Sequence, residues 1–439
     1  MWRSLRHCAF KRKQLPMVFI QHKTFLTNDY QCTEAWNSLK TSSIYNQINL
    51  NDFYNIIDQN YSSKGVISPI DVDIFAGAIN DAFHLEELKD LLHKLRLSAE
   101  TGNMLESTHQ ATIRNYLQFG NTEDLLSILK DPLNFGVFLD EFTANILLDK
   151  LVTSSNFEQA ANVAALIMLQ EEYENEISNA LCQYACYKYV MNYSRPEEPQ
   201  VVEDKKKKVD EIKIRVKFLR NPYFDDHFDI KDVFTLSGKT LAWISERKVD
   251  NTNLNLQIIG WLIYKKYDKL LLLCNTNAKN ESFKTFPELI DLFKKEINFA
   301  DQDSKLKLEA CISILENVNQ VDLSLEECIK NSIENAINKS QTRDIESQKQ
   351  IFQSWREIRE KKLEEQTKRL DRAKRIEAIN YKQKDLQVEE QKLWFFENEE
   401  AIDLEIEEKE QTTRSNSKKK SIKAVDEDYI PPEILPKRK

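Results

Sequence analysis

The chain has 439 residues, 41% of them apolar and 30% charged, with a formal net charge of −9; such a length allows two to four domains with ample core. Only 7 residues are glycine, about 1.6% against a usual 7% or so, which argues against hairpin-rich β folds and glycine-cradled nucleotide sites. Glycine is absent after Gly260 and proline is absent between Pro287 and Pro431, so the composition predicts an all-α protein.

Residues 1–28 hold Arg3, Arg6, Lys11, Arg12, Lys13 and Lys23, and no acid precedes Asp29. This stretch is +6, so the remaining residues carry −15 of the total −9. Trp2, Leu5, Phe10, Val18, Phe19 and Ile20 are scattered among the bases. An acid-free basic start of this kind reads as a mitochondrial transit peptide over 1–28, with the cleavage site open. A helical extension over 29–67 follows. The longest strongly apolar run elsewhere is Ile258 to Tyr264, far short of the ~20 residues that span a bilayer. No membrane partner is expected.

Over 68–193 the pattern is amphipathic helix, short turn, amphipathic helix. His84-Leu85-Glu86-Glu87-Leu88, Asn121-Thr122-Glu123-Asp124-Leu125 and Asn156-Phe157-Glu158-Gln159-Ala160 align at offsets of 37 and 35 residues. Each turn residue is followed two positions later by Glu, where the positive end of a helix favours an anion. Apolar residues then recur at i, i+3 and i+4, the spacing of one buried helical face. Ala160, Ala161, Ala164 and Ala165 permit a close neighbouring helix. Two helices per period of about 35 residues predict an α-solenoid of helix-turn-helix repeats.

Between two of these units lies Gly136-Val137-Phe138-Leu139-Asp140-Glu141-Phe142-Thr143. It resembles the inter-repeat loop of pentatricopeptide proteins, with Leu139 in place of the usual proline. With Asn145-Ile146-Leu147-Leu148-Asp149 and Asn156-Phe157-Glu158-Gln159-Ala160, the run resembles the central segment of protein twenty-seven of the small subunit of the mitochondrial ribosome. The patch Phe218-Leu219-Arg220-Asn221-Pro222-Tyr223-Phe224-Asp225-Asp226-His227-Phe228-Asp229 is also similar to that family. The resemblance covers about 70–270. It implies a structural protein of the mitochondrial small ribosomal subunit, located in the matrix, associated with rRNA and neighbouring ribosomal proteins and needed for mitochondrial translation. It also implies that first helices of the repeats face RNA, with Gln110 and Asn145 at base-reading positions and Asp140 as second reader.

A proline-rich and charged linker over 194–235 contains Ile212-Lys213-Ile214-Arg215-Val216-Lys217-Phe218. In an extended chain this alternation puts four apolar groups on one side and Lys213, Arg215 and Lys217 on the other. Residues 205–220 have eight bases against two acids. The three cations are candidate phosphate contacts, with simple solvation as the alternative. Helical periodicity resumes over 236–340, where Phe286-Pro287-Glu288 marks a helix start.

Residues 341–410 hold 15 bases and 19 acids and read as one long charged helix without a clean heptad seam. Its charge is polarised. Residues 356–384 carry eleven bases and six acids, whereas 385–410 carry two bases and eleven acids. Arg356, Arg359, Lys361, Lys362, Lys368, Arg369, Arg372, Lys374 and Arg375 are the candidate RNA-contacting cations here. A chain this acidic needs such local cationic surfaces to approach RNA. Residues 411–439 read as a disordered tail.

Motifs for catalysis are missing. Ser237-Gly238-Lys239-Thr240 lacks the second glycine of a phosphate-binding loop, Val233 standing in its place, and Ser237 is expected instead to cap a helix. The six histidines form no metal-spaced pair, and Cys182 and Cys186, at i,i+4, are expected to be buried small hydrophobes. The reading is a non-enzyme with no cofactor, no metal and no small-molecule substrate, and homo-oligomers are not expected. Two rivals stay open: a matrix RNA-processing or translation factor built from the same repeats, and a helical scaffold that binds only proteins.

Overall fold

Four helices begin at nearly regular intervals along the first half of the chain, at Pro69, Glu106, Glu141 and Glu176. In the computed structural model, residues 24–194, 232–280, 282–321, 323–394 and 398–417 are described. Among them the protein is all-α, the one extended pairing being a bridge between Thr285 and Gln320. The chain divides into two units, Met1–Glu360 and Lys361–Lys439.

The first unit opens with a 3-10 turn Asn28–Gln31 and helices α1 (Thr33–Lys40), α2 (Ser43–Asn46) and α3 (Leu50–Lys64). Helix pairs follow: α4 (Pro69–Ala78) with α5 (Leu85–Leu97), then α6 (Glu106–Phe119) with α7 (Thr122–Leu129) and the short α8 (Pro132–Phe135). After them come α9 (Glu141–Thr153) with α10 (Phe157–Gln170), and α11 (Glu176–Asn192). First helices touch in succession, α4 with α6, α6 with α9 and α9 with α11, while α7 lies on α10. The second helices start at the three aligned turns. Asn121 and Asn156 cap α7 and α10 through Glu123 N–H and Gln159 N–H, satisfying donors that a helix start leaves open. His84 does not cap α5; its Nδ1 lies 2.7 Å from Glu87 Oε2. The alanines of α10 are buried, and α10 packs on both α11 and α12 (Val233–Ser245).

Helix α12 crosses α13 (Asn251–Ile263) in the most extensive helix contact among the described residues. Glycine makes the approach possible. A Cβ on Gly238 would sit 2.8 Å from the Tyr264 amide nitrogen, and one on Gly260 would sit 2.6 Å from the Gly238 carbonyl oxygen. The Ser237-Gly238-Lys239-Thr240 segment is therefore helix interior. The cap of α12 is Asp232, which accepts from Phe234 and Thr235 N–H. Ser237 does not cap: it lies one turn inside and its hydroxyl donates to the Val233 carbonyl. Cys182 and Cys186 are buried, and burial pushes both thiols up in pKa.

Helices α14 (Tyr267–Ala278), α15 (Pro287–Ile297) and α16 (Gln302–Glu316) follow, α15 opening at Pro287. Helix α17 runs unbroken from Leu325 to Leu393, so the long helix starts well before residue 341. Its buried residues Leu325, Ile329, Ile333, Ile337, Phe352 and Trp355 all belong to the first unit. In the second unit the helix residues are almost all exposed, and α18 (Glu399–Ser417) carries helix into the stretch read as a tail.

Candidate nucleic-acid interface and the covered first-helix face

The side chains expected to read bases sit on α6 and α9, and the chain itself closes over them. Gln110 is 1% exposed; its Nε2 donates to Asp140 Oδ2 at 3.2 Å, and its Oε1 accepts from Gln348 Nε2 of α17 at 3.3 Å. Asn145 is 0% exposed; it donates to the Tyr30 hydroxyl at 2.8 Å and accepts from the Ser178 hydroxyl at 2.8 Å. Asp140 accepts from Thr143 and Gln110, and burial still holds its carboxyl above the usual carboxylate range. Neither Gln110, Asn145 nor Asp140 presents an open edge to a base. The reading from repeat position did not anticipate that a distant helix would take these hydrogen bonds.

Two segments form the cover. One is the stretch from Thr24 through α1. Phe25 N–H donates to Asp149 Oδ1 at 2.9 Å, Leu26 is buried, and Thr27 Oγ1 accepts from Gln341 Nε2 at 2.9 Å. Residues 24–28, assigned above to the transit peptide, thus belong to the packed fold. The other is the α17 stretch up to Arg359. Asn175 donates to Asp344 Oδ2 at 3.0 Å, and Lys339 pairs with Glu176 at 2.6 Å. Glu326 takes hydrogen bonds from Tyr184 at 3.2 Å and from Lys188 at 3.0 Å.

Arg359 is the site residue whose place differs most from expectation. It is 6% exposed, and its Nε meets Asp73 Oδ2 at 2.6 Å. Asp73 also accepts from the Ser107 and Thr108 hydroxyls. This cation is internal and cannot face phosphate in this arrangement. Helical spacing placed it near Arg356 in sequence but could not show that its side of the helix meets α4.

Beneath the cover, Arg114 lies among aromatic rings, its guanidinium carbon 4.8 Å from the Trp36 centroid, 5.6 Å from Phe142 and 5.5 Å from Phe352. Burial lowers its pKa to about 10, so it stays charged at neutral pH and gains from the ring faces. Next to it a cavity of about 510 Å³ is lined by Asp140, Glu141, Glu172, Glu174 and Asp344 among others. Burial raises Glu141 and Glu172 as well. Acids gathered in this way repel a phosphate backbone.

The other candidate cations of α17 are exposed. Arg356 has a side chain 63% exposed and lies 3.3 Å from Glu360. Lys361, Lys362, Lys368, Arg369, Arg372, Lys374 and Arg375 are all exposed, with Lys368 2.6 Å from Glu364. At about 100° per residue, Lys361, Lys368, Arg372 and Arg375 share one side of the helix within roughly 60°. Lys213, Arg215 and Lys217 lie outside the described residues. Among the described residues no group of His, Cys, Asp and Glu is arranged to hold a metal ion, and no helix is long and apolar enough to cross a membrane.

A family model described as Mitochondrial 28S ribosomal protein S27 matches residues 1–385. The chain belongs to this family. As an S27-family member it is a protein of the mitochondrial small ribosomal subunit, located in the mitochondrial ribosome in the matrix. The match ends at residue 385, within the α17 stretch where the charge turns from basic to acidic.

Proposed function

We propose that this S27-family chain is a structural, non-catalytic component of the small subunit that contacts rRNA through the exposed cations of α17, and that mitochondrial translation needs it. The observation that carries this reading is the contrast between two surfaces. The first-helix face is covered by the chain's own segments and bordered by acids, whereas Lys361, Lys368, Arg372 and Arg375 form an exposed cationic ridge. Lys362 and Arg369 broaden that ridge on one flank while Arg356 and Lys374 lie on the opposite side of the helix, and Lys213, Arg215 and Lys217 are a second group of cations in the sequence. Contacts to phosphate from such a ridge position a protein on RNA without reading its sequence. The succession of α4, α6, α9 and α11 supports a solenoid whose role is to bear the ridge and present protein-docking surfaces.

The test is RNA crosslinking with peptide mapping on purified mitochondrial small subunits, with Lys361, Lys362, Arg369 and Arg372 replaced by Glu. Loss of crosslinks in 356–384 and a flatter salt dependence, by roughly 0.9 in slope per lost phosphate contact on duplex nucleic acid, is the expected result. Unchanged crosslinks would favour a protein-only scaffold. Sedimentation after a high-salt wash separates a subunit component, which stays bound, from a matrix RNA factor, which is released.

A further inference from the structure

Ile379, Leu386 and Leu393 stand seven residues apart on α17 and are 54%, 62% and 80% exposed. A seven-residue step advances a helix by nearly two turns, so the three side chains line one side within about 40°. They continue the side that carries Lys361, Lys368, Arg372 and Arg375 further back. One face of the helix thus changes from cationic to apolar at Ile379. Three large apolar groups in a row on a helix, with no described residue covering them, mark an interaction surface.

The surrounding charge identifies the occupant. Residues 385–410 have eleven acids and two bases; at about 100° per residue Glu389 and Glu390 flank the Leu386–Leu393 end of the seam, while Lys382 lies beside its Ile379 end next to the cationic stretch. Phosphate is disfavoured there. The described acids of α17 beyond Leu386 and of α18 are exposed, so no described basic segment of the chain covers them. A second copy in parallel would set acids against acids.

The geometry points to a docking site for an amphipathic helix of a neighbouring small-subunit protein, its apolar stripe on Ile379, Leu386 and Leu393 and its Lys and Arg residues against the flanking acids. This rests on the proposed function only in taking the small subunit as the setting.

A carbodiimide, which joins carboxylates directly to lysine amines, tests it on intact subunits carrying the full chain. Expected are links from Glu389, Glu390 and the α18 acids to lysines at helical spacing in one neighbouring protein. In the variant with Leu386→Asp and Leu393→Asp these links fall about tenfold or more, the equivalent of about 1.4 kcal/mol or more. Val388→Asp, on the opposite side of the helix, leaves them intact. Links only to residues 361–384, links to a second copy, nucleotide crosslinks within 385–410, or no links would each overturn the assignment. So would equal loss in the Val388 variant. Crosslinks of rRNA to 361–375 report separately on the proposed function, and circular dichroism confirms that the exposed substitutions leave the helix formed.

Discussion

Arg359 and Asp73, 286 residues apart, form a buried ion pair with Nε and Oδ2 2.6 Å apart. Burial opposes the guanidinium's charge, and the Asp73 carboxylate restores it so that the net pKa lies above the ordinary value. Removing one partner leaves the other charged and unpaired in the interior. Arg359→Ala is expected to cost about 3–5 kcal/mol in urea unfolding. Arg359→Met combined with Asp73→Asn should recover a substantial part, which a double-mutant cycle measures.

Gln110→Ala and Asn145→Ala should behave as stability mutations. Each removes hydrogen bonds from buried partners, Asp140 and Gln348 in one case and Tyr30 and Ser178 in the other, at about 1–3 kcal/mol. The rRNA crosslinks of assembled subunits should be unchanged. Crosslinks that vanish in either variant while its melting curve matches the parent would show that bases do reach the first-helix face.

The packing of Phe25 and Leu26 predicts where processing stops. A chain beginning at Asp29 lacks Phe25 and Leu26, whose N–H groups serve Asp149 Oδ1 at 2.9 Å and 3.4 Å. It should lose about 1–3 kcal/mol, and Asp149→Ala in the longer chain should lose a similar amount. Peptide mapping of the ribosome-bound protein is expected to find Phe25 retained.

Gly260→Ala puts a methyl group 2.6 Å from the Gly238 carbonyl oxygen. The two helices must part, at a cost of about 1–3 kcal/mol, read as a fall in the denaturation midpoint. Gly102→Ala, with nothing within 4 Å of its added Cβ, is the matched control.

Acid should weaken the first unit partly through His109. Burial lowers its pKa to about 4, and its Nδ1 faces the Phe138 N–H at 3.3 Å as a neutral acceptor. The unfolded chain, with a pKa near 6.5, binds the proton first. The contribution is therefore present above about pH 6.5 and is lost as pH falls toward 4. His109→Gln should flatten stability over that window, and an unchanged slope would assign the acid sensitivity to other groups.

Much of this architecture can be read from local pattern. Pro287 opens a helix because its missing N–H costs nothing at that position, and the aligned turns at Asn121 and Asn156 mark helix starts because their side chains accept from the next amides. Exposed cations such as Lys368 and Arg372 follow from charge run and period. What the pattern could not show is tertiary. Arg356 and Arg359 look alike in sequence, yet only Arg359 faces α4. Gln110 looks like a surface polar residue until Gln348 is found against it. Arg114 gave no signal, because the rings around it come from residues 36, 142 and 352.

The Asp73 carboxylate is made long before its partner. At about 5–20 residues per second, the 286 residues between them take roughly 15–60 s to synthesise. The early helices stay unroofed until that late segment reaches them, and a product that stops short of Arg359 leaves the Asp73 carboxylate without its cation. Closure thus requires the chain at least as far as Arg359, and any shorter product exposes polar groups that α17 otherwise covers.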